Sequence, residues 1–363
     1  MKKIIQKIHL WLGLGASIIL FLVCLSGTFL IYGNDLEEVF NPQIFTVAPQ
    51  GRSLPVETII QNLEEKSGGK VSGVSLRGAA NRPYSFFIKI NPEDRRGDTY
   101  VVNQYTGEIL NNPKKKNSVY MFFFKLHRWL LLDTELGRPI VGASTIIFGI
   151  LLISGFYLWW PKSKTHLKNS LKIKFGKNLK RLNHDLHNSL GFYASIFLMI
   201  MTLTGLCWSF EWYRDFGSKV LGAKIFDRGG MPSKLSSVGD KRLGLDEILA
   251  IANTNFPYAG TVFIPMPHGK NLPYVISKTN TELFALNVTD KIEINPYTGE
   301  VIRVERFSEK RSGEKLASLV KSLHLGDFYG QISKFIYFIA CLIGTSLPIT
   351  GFFIWFNKRK RHA

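Results

Sequence analysis

Histidine is the residue type in this sequence whose placement most suggests chemistry. The 363 residues contain eight, and four of them recur at matched places. His9-Leu10-Trp11-Leu12-Gly13 is echoed by His187-Asn188-Ser189-Leu190-Gly191, and Leu126-His127 by Leu323-His324. A lone histidine beside apolar segments most often presents a polar edge to lipid headgroups. Four in register invite a different reading. Two imidazoles that face one another can bind a b-type haem, because iron takes one axial nitrogen from each side. Gly27 and Gly205 each follow the first histidine of their repeat by five helical turns, so they share its face and would let a flat macrocycle approach the backbone.

His184 leaves an alternative open. It precedes His187 by one helical turn, so it could replace His187 as a ligand or hydrogen-bond a haem propionate. The His-x-x-His pair also suits zinc, but no third or fourth ligand stands at a recognisable spacing. His166, His268 and His362 have no counterpart and read as ordinary exposed residues.

The elements that must position these side chains are membrane spans. Hydrophobic residues make up 45% of the chain although its net charge is +19, a pairing rare in soluble proteins. Leu10 to Tyr32, Ile140 to Trp160, Leu190 to Trp212 and Phe335 to Phe356 are apolar windows near the ~20 residues that a helical crossing needs. The first is too long, and lacks the small-residue cleavage site, for a signal peptide, and reads as a retained span. Basic residues gather at the N-terminus (Lys2, Lys3, Lys7), between spans two and three (Lys162 to Arg181) and at the C-terminus (Lys358 to Arg361). The positive-inside rule places these segments in the cytoplasm. The charge then reports topology and removes the main support for nucleic-acid binding. A basic patch that docks an acidic protein is the lesser reading. Cys24, Cys207 and Cys341 all lie in apolar spans, which implies no disulfide framework.

The chain repeats itself. Asn103-Gln104-Tyr105-Thr106-Gly107-Glu108 is matched by Asn295-Pro296-Tyr297-Thr298-Gly299-Glu300, each a turn between β-like runs. Helical patterns precede them at Leu54 to Leu63 and Leu245 to Ala252, with strands expected at Val71 to Leu76, Tyr84 to Ile90, Thr261 to Pro265 and Tyr274 to Ser277. The expected fold is an α-helical membrane protein with four transmembrane helices in two repeats and two small α+β domains on the extracytoplasmic side. Its segments are span one (1–33), the first outside domain (34–118), an outer-surface segment with span two (119–161) and a basic loop (162–188). Span three (189–213), the second outside domain (214–315), and a last segment with span four and a basic tail (316–363) complete it. A parallel duplication relates the halves about an axis along the membrane normal. That operation brings His9 to His187 on the inner side and His127 to His324 on the outer side.

The His-x-x-x-Gly and Leu-His-Arg-Trp-Leu segments, the run Ser154-Gly155-Phe156-Tyr157-Leu158-Trp159-Trp160-Pro161 and the Tyr-Thr-Gly-Glu turns resemble the PepSY-associated transmembrane helix family across the whole chain. Its members are often called iron-regulated or iron-uptake-associated membrane proteins. The resemblance implies that the outside units are PepSY domains, and that the chain sits in the bacterial inner membrane with both termini cytoplasmic. It also implies haem b, two per chain, held by His9 with His187 and by His127 with His324. Arg128 would pair with a propionate, although the second repeat has Leu325 there.

Some members of that family reduce ferric siderophores, so the implied activity is haem-dependent reduction of a ferric siderophore or similar iron chelate in the periplasm. Electrons would come from a quinol or from a cytoplasmic or membrane protein, since no Gly-x-Gly-x-x-Gly nucleotide motif follows a strand. One-electron chemistry requires a cofactor, because no side chain supplies it. The alternative is a sensory or regulatory membrane protein whose PepSY domains bind a peptide or peptidase without a cofactor. A transporter of iron chelates ranks last, because the spans lack charges from which to build a polar path.

Overall fold

The computed structural model describes every residue except 92, 94–96, 112–117, 162, 177, 227–232, 236–237, 268, 282–287 and 360–363. His268, His362, Lys162, Lys177, Lys360 and Arg361 therefore lie outside the described residues, as does the side chain of His166.

In chain order the first helices are α1 (Lys2–Phe40), α2 (Pro42–Phe45) and α3 (Val56–Ser67). Strands β1 (Lys70–Leu76), β2 (Tyr84–Lys89) and β3 (Asp98–Val102) come next. They are followed by α4 (Ser118–Trp129), α5 (Thr134–Trp159), α6 (Lys164–Ser170) and α7 (Leu179–Asp185). A π-helical turn (Leu186–Leu190) joins α7 to α8 (Gly191–Ser209), and α9 (Glu211–Leu221) and α10 (Leu245–Asn255) follow. The chain ends with β4 (Val262–Pro265), β5 (Tyr274–Thr279), β6 (Thr289–Ile294), β7 (Val301–Glu305), α11 (Ser312–Leu325) and α12 (Gly330–Arg359). Two compact units result, one of helices (Met1–Asn34, Ser118–Ile225, Val320–Ala363) and one built on a sheet (Asp35–Asn117, Phe226–Leu319).

In the helical unit, Lys2–Phe40, Thr134–Trp159, Leu179–Ser209 and Gly330–Arg359 are long and apolar enough to cross a membrane. Many of their large apolar side chains point outward. Ile18, Ile153, Ile196 and Phe335 are all exposed, as expected where lipid is the solvent. In the interior, Ala194, Leu198, Ala340 and Leu152 form one buried cluster where α8 packs between α5 and α12, and Ile31, Tyr337 and Cys341 form another. Several hydroxyls on the spans return their protons to their own helix, as Thr202 does to the Leu198 carbonyl at 2.7 Å, whereas the buried Tyr337 hydroxyl of α12 meets no partner among the described residues. Helix α4 is separate from α5, as the polar break Asp133 to Arg138 suggests.

The sheet unit differs from the expected pair of small sheets. All seven strands form one antiparallel sheet in the order β3-β2-β1-β4-β5-β6-β7. The seam is β1 against β4, with Val74 opposite Ile264 and Leu76 opposite Val262. Alternation along the strands puts Val74, Phe86, Ile264, Ile276 and Ile292 into one core with Ile59 and Leu63 of α3 and Ile248 and Ala252 of α10. Two short sheets with one helix each have little core of their own, and joining them shares it. The matched turns take one geometry. Gly107 and Gly299 stand at φ 73° and 74°, and the Asn103 and Asn295 side chains accept from the Tyr105 and Tyr297 N–H groups, each at 2.9 Å. After the turn, β7 is a full strand, whereas the first copy has only the bridge between Val102 and Ile109.

Candidate functional site

The four matched histidines meet as two pairs in the helical unit. The ring centroids of His9 and His187 are 6.5 Å apart with the planes at 89°. Those of His127 and His324 are 6.2 Å apart at 54°. One helix element supplies each: α1 His9, α4 His127, the π-helical turn His187 and α11 His324. The π-turn is the irregular one. Such turns often mark functional positions in helices, and its hydroxyl Ser189 anchors it by donating to the Ser170 carbonyl at 2.8 Å.

A single local motif, used four times, aims the imidazoles. It consists of a carbonyl, then three residues later a Ser or Thr, then Gly. The copies are Val23 with Ser26 and Gly27, Leu151 with Ser154 and Gly155, Met201 with Thr204 and Gly205, and Leu347 with Thr350 and Gly351. His127 Nδ1–H donates to the Val23 carbonyl at 2.8 Å, and His324 Nδ1–H to the Met201 carbonyl at 3.0 Å. His9 Nδ1 lies 2.9 Å from Ser154 Oγ, and His187 Nδ1 lies 2.9 Å from Thr350 Oγ1. Those two hydroxyls already donate within their own helices, Ser154 to the Leu151 carbonyl and Thr350 to that of Ser346. Each must therefore accept from its histidine. The network assigns the proton to Nδ1 in all four rings, which leaves Nε2 as a bare lone pair.

The glycines explain how the rings come so close. A Cβ on Gly27 would lie 3.0 Å from His127 Cε1, and one on Gly205 would lie 3.1 Å from His324 Cε1. Gly155 and Gly351 stand in the same relation to His9 and His187, each at 3.2 Å. Gly27 and Gly205 share a face with His9 and His187, but what they admit is the imidazole of the other pair.

The sequence left His184 and His187 as alternatives, and the structure brings only His187 to His9. His184 is half exposed and lies 3.6 Å from Asp185 Oδ1. Asp185 is buried and also accepts from Arg181 Nε at 2.9 Å, so this neighbourhood is an ion-paired support for the turn that carries His187. Arg128 follows His127 and lies over the Phe124 and Trp129 rings, its Cζ 5.8 and 5.6 Å from their centroids. Burial first, and then the charge of Arg138, hold its pKa below the ordinary arginine value.

Sequence reasoning missed the motif's carbonyls and hydroxyls as histidine partners. Their signal was present, since the Ser-Gly and Thr-Gly dipeptides recur alongside the histidines. It also missed Trp208, whose ring centroid lies 5.0 Å from that of His324.

Chemically, each pair brings two imidazoles with hydrogen-bonded Nδ1 atoms close together. Iron–nitrogen bonds of about 2 Å on both sides of one metal place the imidazole centroids about 6 Å apart, and both pairs match this. Beside His187 lies a small cavity of about 70 Å³ walled by Gly155, Gly191, Trp159, Phe192 and Leu347. Among the described residues no cluster of three or more His, Cys, Asp or Glu could hold a bare metal ion. A haem needs only two protein ligands because its ring supplies the rest, so the four histidines fit that group and do not fit a zinc centre.

Among curated proteins none matches the chain. The family model described as the PepSY-associated TM region matches residues 6–358, nearly the whole length. With its four apolar helices and its sheet unit, the chain is a multi-pass membrane protein that belongs to the PepSY-associated TM family.

Proposed function

We propose that this protein is a haem-containing transmembrane electron-transfer protein that reduces a ferric siderophore or similar Fe(III) chelate on the extracytoplasmic side. The observation that carries the reading is the pairing of four histidines into two sets at the centroid separation that a bis-imidazole iron needs, each ring with Nδ1 hydrogen-bonded. When bound, haem supplies the one-electron chemistry that side chains lack. His9 with His187 would hold one and His127 with His324 the other. The Nδ1 hydrogen bonds fix each ring's tautomer and orientation and raise the basicity of Nε2.

Cation placement supports the orientation. The basic N-terminus, the loop of α6 and α7 and the C-terminus belong on the cytoplasmic side under the positive-inside rule, which puts the sheet unit, read as two duplicated PepSY domains, outside. The donor is a quinol or a cytoplasmic or membrane-bound reductase. Reduction loosens the iron, because Fe(II) binds hard oxygen donors more weakly than Fe(III).

The test is spectroscopic. Purified protein, produced with ample haem, should contain about two haems per chain with six-coordinate b-type bands on reduction. Changing His9 or His187 to Ala, and likewise His127 or His324, should remove one haem each, whereas His184→Ala should retain both. A ferric chelate should then re-oxidise the reduced protein. Colourless protein would overturn the proposal and favour a regulatory role for the PepSY domains.

A further inference from the structure

Between α4 and α5, two side-chain donors beside a pair of arginines meet no acceptor among the described residues. Arg128 lies in the last turn of α4 and Arg138 near the start of α5. No carboxylate among the described residues stands within ion-pair distance of either. Arg138 Nε and the indole Nε1 of Trp129 are shut off from solvent and meet no acceptor. Buried donors without partners are costly, and so are like charges held together.

The backbone forces this arrangement. Leu130 and Leu131 stand at φ 54° and 62°, a left-handed conformation that leucine adopts only under constraint. Gly137 rests directly on the end of α4, for a Cβ there would lie 2.1 Å from the Trp129 carbonyl oxygen. Arg138, one residue beyond that contact, is thereby held at the end of α4 that carries Arg128 and Trp129. The corresponding turn after His324 is built differently. Its left-handed residue is Gly326, at φ 75°, and Leu325 stands where Arg128 would. At the matched turns, the left-handed leucines and the arginine pair therefore stand beside His127 and not beside His324.

We propose that Arg128, Arg138 and the Trp129 indole N–H form a carboxylate-binding site beside His127. Guanidinium presents a planar fork of donors that matches a carboxylate, and the indole adds a third donor nearby. The carboxylate has two candidate sources: a propionate of haem held by His127 and His324, which rests on the function proposed above, or an acidic iron chelate, which does not require haem.

Full-length protein in detergent distinguishes them, as wild type and as Arg138→Gln, Arg138→Lys and Trp129→Phe. Haem and its dimethyl ester are titrated in one arm, ferric citrate and a neutral ferric trihydroxamate in the other. If a propionate is the ligand, wild type prefers haem over the ester by about tenfold or more, and Arg138→Gln loses the preference. If the chelate is the ligand, Arg138→Gln weakens ferric citrate by about tenfold and leaves the trihydroxamate unchanged. Arg138→Lys keeps the charge and Trp129→Phe keeps the ring, so intermediate losses there exclude misfolding as the cause. Unchanged preferences in every folded variant would overturn the site. Protein that binds no haem at all would sink the electron-transfer reading, and the ferric citrate arm alone would then decide the carboxylate site.

Discussion

The His127 imidazole lies against Gly27, close enough that an added Cβ would meet its Cε1 at 3.0 Å. Val23, one helical turn earlier, accepts the ring's Nδ1–H at 2.8 Å. The glycine leaves that carbonyl uncovered, and the same relation recurs between His324, Gly205 and Met201. Contact and hydrogen bond together fix where Nε2 points. Gly27→Ala must therefore displace the ring by a few tenths of an ångström or strain the helix, at about 1–3 kcal/mol. Haem retained at this pair should fall by about tenfold or more, read as a stoichiometry moving from two towards one. Gly15→Ala, in the same helix, is the control for expression and handling, since an added Cβ there meets nothing within 4 Å.

The hydroxyls make a separate prediction. Ser154 and Thr350 accept the Nδ1 protons of His9 and His187, each at 2.9 Å. Ser154→Ala and Thr350→Val remove the acceptor with little change in volume. Loss of such an outer partner typically weakens ligand binding by about 10–100-fold. Haem titration should show that loss for either variant. Ser17→Ala, whose hydroxyl only donates to the Leu14 carbonyl, should leave binding unchanged.

These residues also mark how far the sequence could be read. Spans, strands and the positive φ of Gly107 and Gly299 were legible, because each depends on a local run or a single turn. The pairing of His9 with His187 followed from repetition. Choosing His187 over His184 did not, because the π-turn rotates the chain by an extra residue and hydrogen-bond register alone decides which ring faces inward. The partners of Nδ1 were hidden for a similar reason. Carbonyls such as that of Met201 have no sequence signature, and the Thr204-Gly205 dipeptide reads equally well as close helix packing. The single sheet was illegible too, because alternation in β1 and β4 says which face is buried and nothing about the neighbouring strand.

Glu57 of α3 ties the two halves of the sheet unit together, its carboxylate accepting from the Leu245 N–H at the start of α10. Burial, with Asp246 and Glu247 nearby, raises its pKa above the ordinary carboxylate value. A folded-state pKa above the unfolded one means the folded form binds the proton more tightly. Stability is then greatest below about pH 4, falls as pH rises through the raised value, and levels off above it. Glu57→Gln retains an acceptor and should abolish that slope, whereas Glu57→Ala should cost about 1 kcal/mol for the lost cap. Thermal unfolding followed by the β-sheet amide I band between pH 4 and 7 reads both effects.

The seam between β1 and β4 yields the last prediction. Val74 and Ile264 are opposite one another across it, and both are fully buried. Ile264→Ala should destabilise the sheet by about 2–5 kcal/mol, since neighbours fixed in a seven-stranded sheet can collapse only partly into the space. The informative measurement is the pair. In one sheet with one core, Val74→Ala and Ile264→Ala remove two sides of the same contact, so the double variant should depart from additivity by about 0.5–3 kcal/mol. Independent sheets would share no contact at these positions, and the two costs would simply add. Unfolding should likewise occur in one transition, because neither half keeps a closed core once β1 and β4 separate.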